Sequence, residues 1–176
     1  MRSDTPQTIY LKDYQPPAFI IETIDLHFSL EAEHTTVSSR LTIRRNPDCT
    51  NQAASLELDG EELQLLEVEL DGQSVDSDQY SQTDELLEIP SVPDAFELKL
   101  VTRIKPQANT RLEGLYMSDG MYCTQCEAEG FRRITYYMDR PDVMATFSTT
   151  IEADKKAYPV LLSNGNCVDR GELDNG

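Results

Sequence analysis

Apolar and polar residues alternate along most of this chain with a period of two, the pattern of strands buried on one face. In Ile20 to Leu30, Ile24, Leu26, Phe28 and Leu30 alternate with Thr23, Asp25, His27 and Ser29. Thr35 to Arg45 repeats the pattern, with Val37, Leu41 and Ile43 on one face and Ser38, Arg40, Thr42 and Arg44 on the other. The short link Glu31 to His34 predicts that these strands form a hairpin. Leu66, Val68 and Leu70 predict another strand, ended by the turn pair Asp71-Gly72. Leu86 to Ile89 and Phe96 to Ile104 follow, punctuated by Pro90, Pro93 and Pro106. Val143 to Ile151 alternates again, and Val160 to Leu162 and Val168 to Leu173 read as short strands. Helix signals are few: Gly60 to Leu65 is the one stretch that suggests a helical turn.

Short strands at near-regular spacing, with turn signals between them, predict an all-β fold: an antiparallel β-sandwich or open barrel. A chain of 176 residues is expected to form one domain and to bury roughly 70% of its unfolded surface. No internal repeat, low-complexity tract or linker divides it, so residues 1–176 read as a single β-domain. Asp174-Asn175-Gly176 carries a strong type I′ hairpin signal whose second strand is still to come. The expectation is a domain cut from a longer polypeptide.

Charge narrows the partners. Acids outnumber bases 32 to 15, for a net charge of −17. That balance argues against nucleic acid and anionic membrane surfaces, which are bound through Lys and Arg. It reads as a solvated acidic surface, with a funnel for cationic substrates as the alternative. No apolar run approaches the roughly 18 residues of a membrane span. Met1 to Pro6 lacks the apolar core of a signal peptide, so a cytoplasmic location is expected, with the four cysteines as reduced thiols.

Motifs for chemistry within the chain are sparse. Cys123-Thr124-Gln125-Cys126 has the spacing of half a zinc site or of a dithiol centre, or of two incidental thiols. Zinc would need two more ligands from Cys49, Cys167, His27 and His34, and a redox pair would need a helix N-terminus after a strand. Here the flanks read as strand before and loop after. There is no His-Glu-x-x-His, no Gly-x-Ser-x-Gly and no phosphate-binding glycine loop. His27 and His34 read as solvent-facing, and Asp84-Glu85 and Glu61-Glu62 as solvated acids. No catalytic residue and no metal ligand is expected within these 176 positions.

The densest stretch runs from Thr124-Gln125-Cys126-Glu127-Ala128-Glu129-Gly130 into Arg132-Arg133-Ile134-Thr135-Tyr136-Tyr137-Met138-Asp139-Arg140-Pro141-Asp142. A glutamate in such a loop is ordinarily a solvated one. Arg132, Arg133 and Arg140 are expected to pair with Glu129, Asp139 or Asp142 and hold the loop. From Asn109-Thr110-Arg111-Leu112-Glu113-Gly114-Leu115-Tyr116 to Leu161-Leu162-Ser163-Asn164-Gly165-Asn166 the chain resembles the N-terminal β-domain of the bacterial aminopeptidase N family, zinc exopeptidases of the gluzincin type. The resemblance is most specific over Thr124 to Pro141 and weaker through the early strands.

That resemblance implies a saddle-like β-domain covering a zinc-bearing catalytic domain of the same polypeptide, with peptides carrying a free amino terminus as substrates. It also implies that Gln125-Cys126-Glu127 is the family's Gln-x-Glu, with Glu127 anchoring the substrate's α-ammonium and Gln125 lining the same pocket. Zinc would be held elsewhere in the full-length enzyme, and these residues alone would be inactive. A second reading is a stand-alone acidic β-sandwich module that binds a cationic ligand without catalysis.

Overall fold

A computed structural model describes residues 10–174. The turn predicted at Asn175-Gly176 and the segment Met1 to Pro6 lie outside the described residues. The strands are β1 (Phe19–Leu30), β2 (Thr35–Arg45), β3 (Leu56–Asp59), β4 (Gln64–Leu70), β5 (Gln73–Ser74) and β6 (Ser81–Gln82). Then come β7 (Leu86–Ile89), β8 (Ala95–Ile104), β9 (Gly114–Ser118), β10 (Met121–Gln125) and β11 (Thr146–Ala153). They form a six-stranded sheet in the order β11-β1-β2-β8-β4-β5, a three-stranded sheet β3-β7-β6, and the β9-β10 hairpin. Three short 3-10 turns, at Leu11–Asp13, Pro106–Ala108 and Phe131–Arg133, are the helical elements among the described residues.

The all-β class and its open sheets are as the alternation predicts, and every ladder but one is antiparallel. The exception is β11, which runs parallel to β1 with Ile24 opposite Phe147 and Phe28 opposite Ile151. The predicted hairpin of β1 and β2 is present, with Leu30 paired to Thr35 and Ile21 to Ile43. Its ladder shifts register between Ile21 and Thr23, so Phe19 and Ile21 point inward as do Ile24, Leu26 and Phe28. A bulge that adds one residue restores the phase of the buried face.

The core joins the two larger sheets. Ile24, Leu41, Ile43, Leu98 and Leu100 come from the large sheet, and Leu56, Leu58 and Leu87 from the small one, all fully buried. The outer face of the large sheet carries cross-strand ion pairs instead. Arg40 reaches Glu97 at 2.7 Å, Arg44 reaches Glu22 at 2.7 Å, and Lys99 lies 2.9 Å from Glu67 and 3.1 Å from Glu69. Exposed pairs of this kind contribute about 0–1 kcal/mol each, so the inner face supplies most of the stability.

Several local expectations change. Leu66 is exposed, and Leu65, Val68 and Leu70 turn inward, because β4 shifts register against β8 between Leu65 and Glu67. Gly60 to Leu63 is not helical: the chain bends at Glu61 and Glu62, the latter with φ 57°, before entering β4. The strand expected from Val143 begins at Thr146, and Val160–Leu162 and Val168–Leu173 form no strand. Both of these last stretches are exposed, so alternation there has no partner to bury against. β3, as short as β7, was not singled out by the alternation. The β9-β10 hairpin did carry a signal, Asp119-Gly120, whose φ angles of 48° and 79° make the primed turn that suits twisted strands.

Truncating the centre of the shared core tests this layering. Leu41→Ala is expected to cost ~2–5 kcal/mol of unfolding free energy, and Leu66→Ala well under ~1 kcal/mol, by urea titration. Equal losses at the two positions would contradict the burial described.

Candidate functional site

The Gln-x-Glu stretch sits where β10 ends. Gln125 is the last residue of that strand, paired with Gly114 of β9. Extended backbone sends alternate side chains to opposite sides. Cys126 therefore turns inward against the core, whereas Gln125 and Glu127 are both exposed. Gln125 Nε2 donates to Glu127 Oε2 at 2.8 Å and to the Glu127 carbonyl at 3.3 Å. The structure thus brings the two predicted site residues into direct contact. No cation pairs with Glu127 among the described residues, so the carboxamide orients the carboxylate without neutralising it.

The loop that carries Glu127 is tied back on itself. The Gly130 N–H donates to the Cys126 carbonyl at 2.7 Å, and the Glu127–Ala128 peptide is cis. A Cβ at Gly130 would stand 2.5 Å from the Gln125 carbonyl oxygen and 3.0 Å from Cys126 Cα. Glycine is required there because backbone passes against backbone. The Phe131–Arg133 turn follows at once, with Ile134 N–H donating to the Phe131 carbonyl at 2.9 Å.

Two arginines then fix the loop from below. Arg132 binds Asp139 through Nε at 3.0 Å and through its own backbone N–H at 3.1 Å, and its Nη2 donates to the Asp139 carbonyl at 3.0 Å. Asp59 at 3.7 Å and Glu129 at 3.6 Å complete its surroundings. Arg133, with its side chain only 6% exposed, departs from expectation. It pairs with Glu61, with Glu62 at 3.0 Å and with Glu113 at 3.1 Å, none of them in the loop. Glu61 and Glu62 are therefore not free solvated acids but partners of a buried guanidinium. Such a pair is costly to break from one side, because the remaining charge stays desolvated.

Arg140 clamps Asp142 with two hydrogen bonds, at 2.9 and 2.7 Å, and Tyr14 donates to the same carboxylate at 2.8 Å. The hydrogen bonds from Arg140 hold the Asp142 carboxyl below its ordinary value. Tyr136 and Tyr137 are buried: Gln82 Nε2 donates to the Tyr136 hydroxyl at 2.9 Å. Burial, with the Asp139 charge second, pushes Tyr137 up to about 12.

The cysteine pair is poorly placed for redox or metal chemistry. Burial pushes the Cys126 thiol up to about 11, with the charges of Glu127 and Asp139 adding to it, so the thiolate is disfavoured at neutral pH. All four cysteines are free, and no helix follows Cys126. His27 lies 3.2 Å from Glu152 and His34 3.2 Å from Glu31. Among the described residues no group of three or more His, Cys, Asp or Glu is disposed to hold a metal ion. The residues present do not fit a zinc site. Nor do Gln125 and Glu127 line the cleft of about 520 Å³ between Phe19, Glu57, Glu129 and Arg132.

The fold is thus a set of open β-sheets with an oriented Gln-x-Glu where β10 ends. The sequence model of the Peptidase M1 N-terminal domain matches residues 14–176, and the chain belongs to that family. Aminopeptidase N of Caulobacter vibrioides is 49% identical over 176 residues, which are 100% of this chain and 20% of that protein. Aminopeptidase N of Escherichia coli is 47% identical over 171 residues, 97% of this chain and 19% of that protein. Among solved structures, Legionella pneumophila aminopeptidase A in complex with aspartic acid superposes with a TM-score of 0.87 at 33% identity, covering 93% of this chain and 19% of that one. The chain thus spans about a fifth of the length of the relatives it matches.

Two measurements check the electrostatics of this region. With Cys126 protonated and half-buried, iodoacetamide at pH 8 is expected to alkylate it at least ~tenfold more slowly than exposed Cys167, by peptide mapping. Asp142 contributes stability through a depressed folded pKa. That stability is present above the unfolded value near ~4 and is lost as pH falls through the folded pKa. The melting-temperature gap between wild type and Asp142→Asn should therefore hold above about pH 5 and shrink as pH falls below about 4 toward the folded pKa; a constant gap would exclude charge as its cause.

Proposed function

We propose that this chain is the N-terminal domain of a zinc aminopeptidase, which removes amino acids from the free amino ends of peptides. In this reading it covers an active site built by a catalytic domain elsewhere in the same polypeptide, where the zinc is held. Glu127 takes the α-ammonium of the substrate, and Gln125 lines the same pocket. The observation that carries the reading is the 2.8 Å hydrogen bond from Gln125 to Glu127 on a loop closed by Gly130.

The physics suits an exopeptidase. A fixed carboxylate measures distance from the amino end, because an ammonium at ~4 Å gains about 4 kcal/mol at an effective dielectric near 20. An internal peptide bond offers no such charge, so it is discriminated against. On the isolated chain Glu127 is open to water, which screens the attraction. A covering domain would exclude that water. Exposed apolar groups on and beside β11, such as Phe147 at 49% and Met144 at 84%, supply surface for such a domain to bury.

Glu127→Ala in the full-length enzyme is expected to reduce kcat/KM for aminoacyl arylamides by ~2–5 kcal/mol of transition-state binding, roughly 30- to 4,000-fold. Gln125→Ala should cost less, since it only orients. Unchanged kcat/KM in Glu127→Ala would sink the anchor. If the complete reading frame encodes no catalytic domain, the acidic binding module takes its place.

A further inference from the structure

Acids outnumber bases about two to one in this chain, and most of the described basic side chains have a carboxylate partner. Arg40, Arg44, Arg45 and Arg140, among others, each have one. Arg103 and Lys105, at the end of β8 and just past it, pair with no carboxylate among the described residues. Both line one cavity of about 340 Å³, together with Gln64, Asn109, Glu62 and the buried Arg133. Arg133 brings its own carboxylates, Glu61, Glu62 and Glu113, so Arg103 and Lys105 are the cations of this lining left without one.

The hydrogen-bond inventory points the same way. Arg103 Nε and Arg133 Nη1 are both buried without a hydrogen-bond acceptor. Glu62 comes within 3.0 Å of Nη1, but without the alignment of a hydrogen bond, and it also serves Arg111 at 3.3 Å. Its side chain is 60% exposed, so it can swing away into water. Buried N–H donors rarely stay unsatisfied in a native protein, and two beside one cavity call for an acceptor from outside. Guanidinium groups match oxyanions geometrically, and an ammonium beside them adds a point charge.

We propose that this cavity is a binding site for a small oxyanion, a phosphate or a carboxylate, held by Arg103, Lys105 and Arg133. It is separate from the Gln125–Glu127 pair and does not depend on the aminopeptidase reading. The test is calorimetric titration of the full-length protein with sodium phosphate and, separately, sodium acetate, in a chloride-only buffer. One saturable site is expected, weakened about tenfold or more in both Arg103→Met and Lys105→Gln, while Arg40→Met binds as wild type. Lys105 is exposed, so Lys105→Gln keeps the fold, and a melting curve confirms it. Tighter phosphate assigns the site to phosphate groups, and tighter acetate to carboxylates. Absence of saturable binding of both up to about 50 mM, or wild-type binding in Arg103→Met and Lys105→Gln, overturns the proposal.

Discussion

The segment Ile134–Met138, wedged between the two larger sheets, is what the rest of this domain depends on. Tyr136 is 1% exposed, Thr135 is fully buried, and Ile134, Tyr137 and Met138 join the same core. Its polar atoms are matched on both sides. Thr135 shares a hydrogen bond with Ser39 at 2.9 Å, and Thr102 donates to the Ile134 carbonyl at 3.2 Å, both from the large sheet. On the other side Tyr137 and Asp59 exchange backbone hydrogen bonds at 2.8 and 3.0 Å, extending β3. A non-strand segment can be buried this deeply only if such partners exist, since each unmet backbone group would cost a full desolvation penalty.

The loop bearing Glu127 inherits its position from that wedge. Leaving β10, the chain turns at Gly130, makes the Phe131–Arg133 turn and enters the core at Ile134. Arg132 and Arg133 mark the entry point, one gripping Asp139 beyond the wedge and the other reaching Glu61 and Glu113, far earlier in the sequence. The exposed pair Gln125 and Glu127 is thus only a few residues from some of the most constrained backbone in the domain. Rigid support beneath and open water above hold the pair's geometry while leaving it accessible.

Long strands with strict alternation were legible in the sequence, because one residue in two had to be apolar for β1, β2 and β8 to bury a face. The same logic failed at Leu66, where a register shift exchanges faces, and at Val160–Leu162, where nothing covers the apolar side. Gln125 and Glu127 could be named from a family resemblance, yet nothing in their spacing disclosed that one bonds the other. Arg133 was misassigned because its partners, Glu61, Glu62 and Glu113, come from distant stretches that only the fold assembles. Charge partners across such sequence distances leave no local pattern to read.

The parallel ladder between β1 and β11 ties nearly the first strand of the domain to its last. Antiparallel neighbours can zip from a turn, but this pairing closes a loop that contains almost the whole chain, and its entropic cost is met late. During synthesis β1 and β2 can form their hairpin early, while the free edge of β1 must wait for β11 to leave the ribosome. Until then that edge presents unpaired N–H and C=O groups to any strand nearby. Pulse-labelled hydrogen exchange would show β11 acquiring protection last. The order of translation, as much as the stability of the finished sheet, therefore sets when this domain is most open to mispairing.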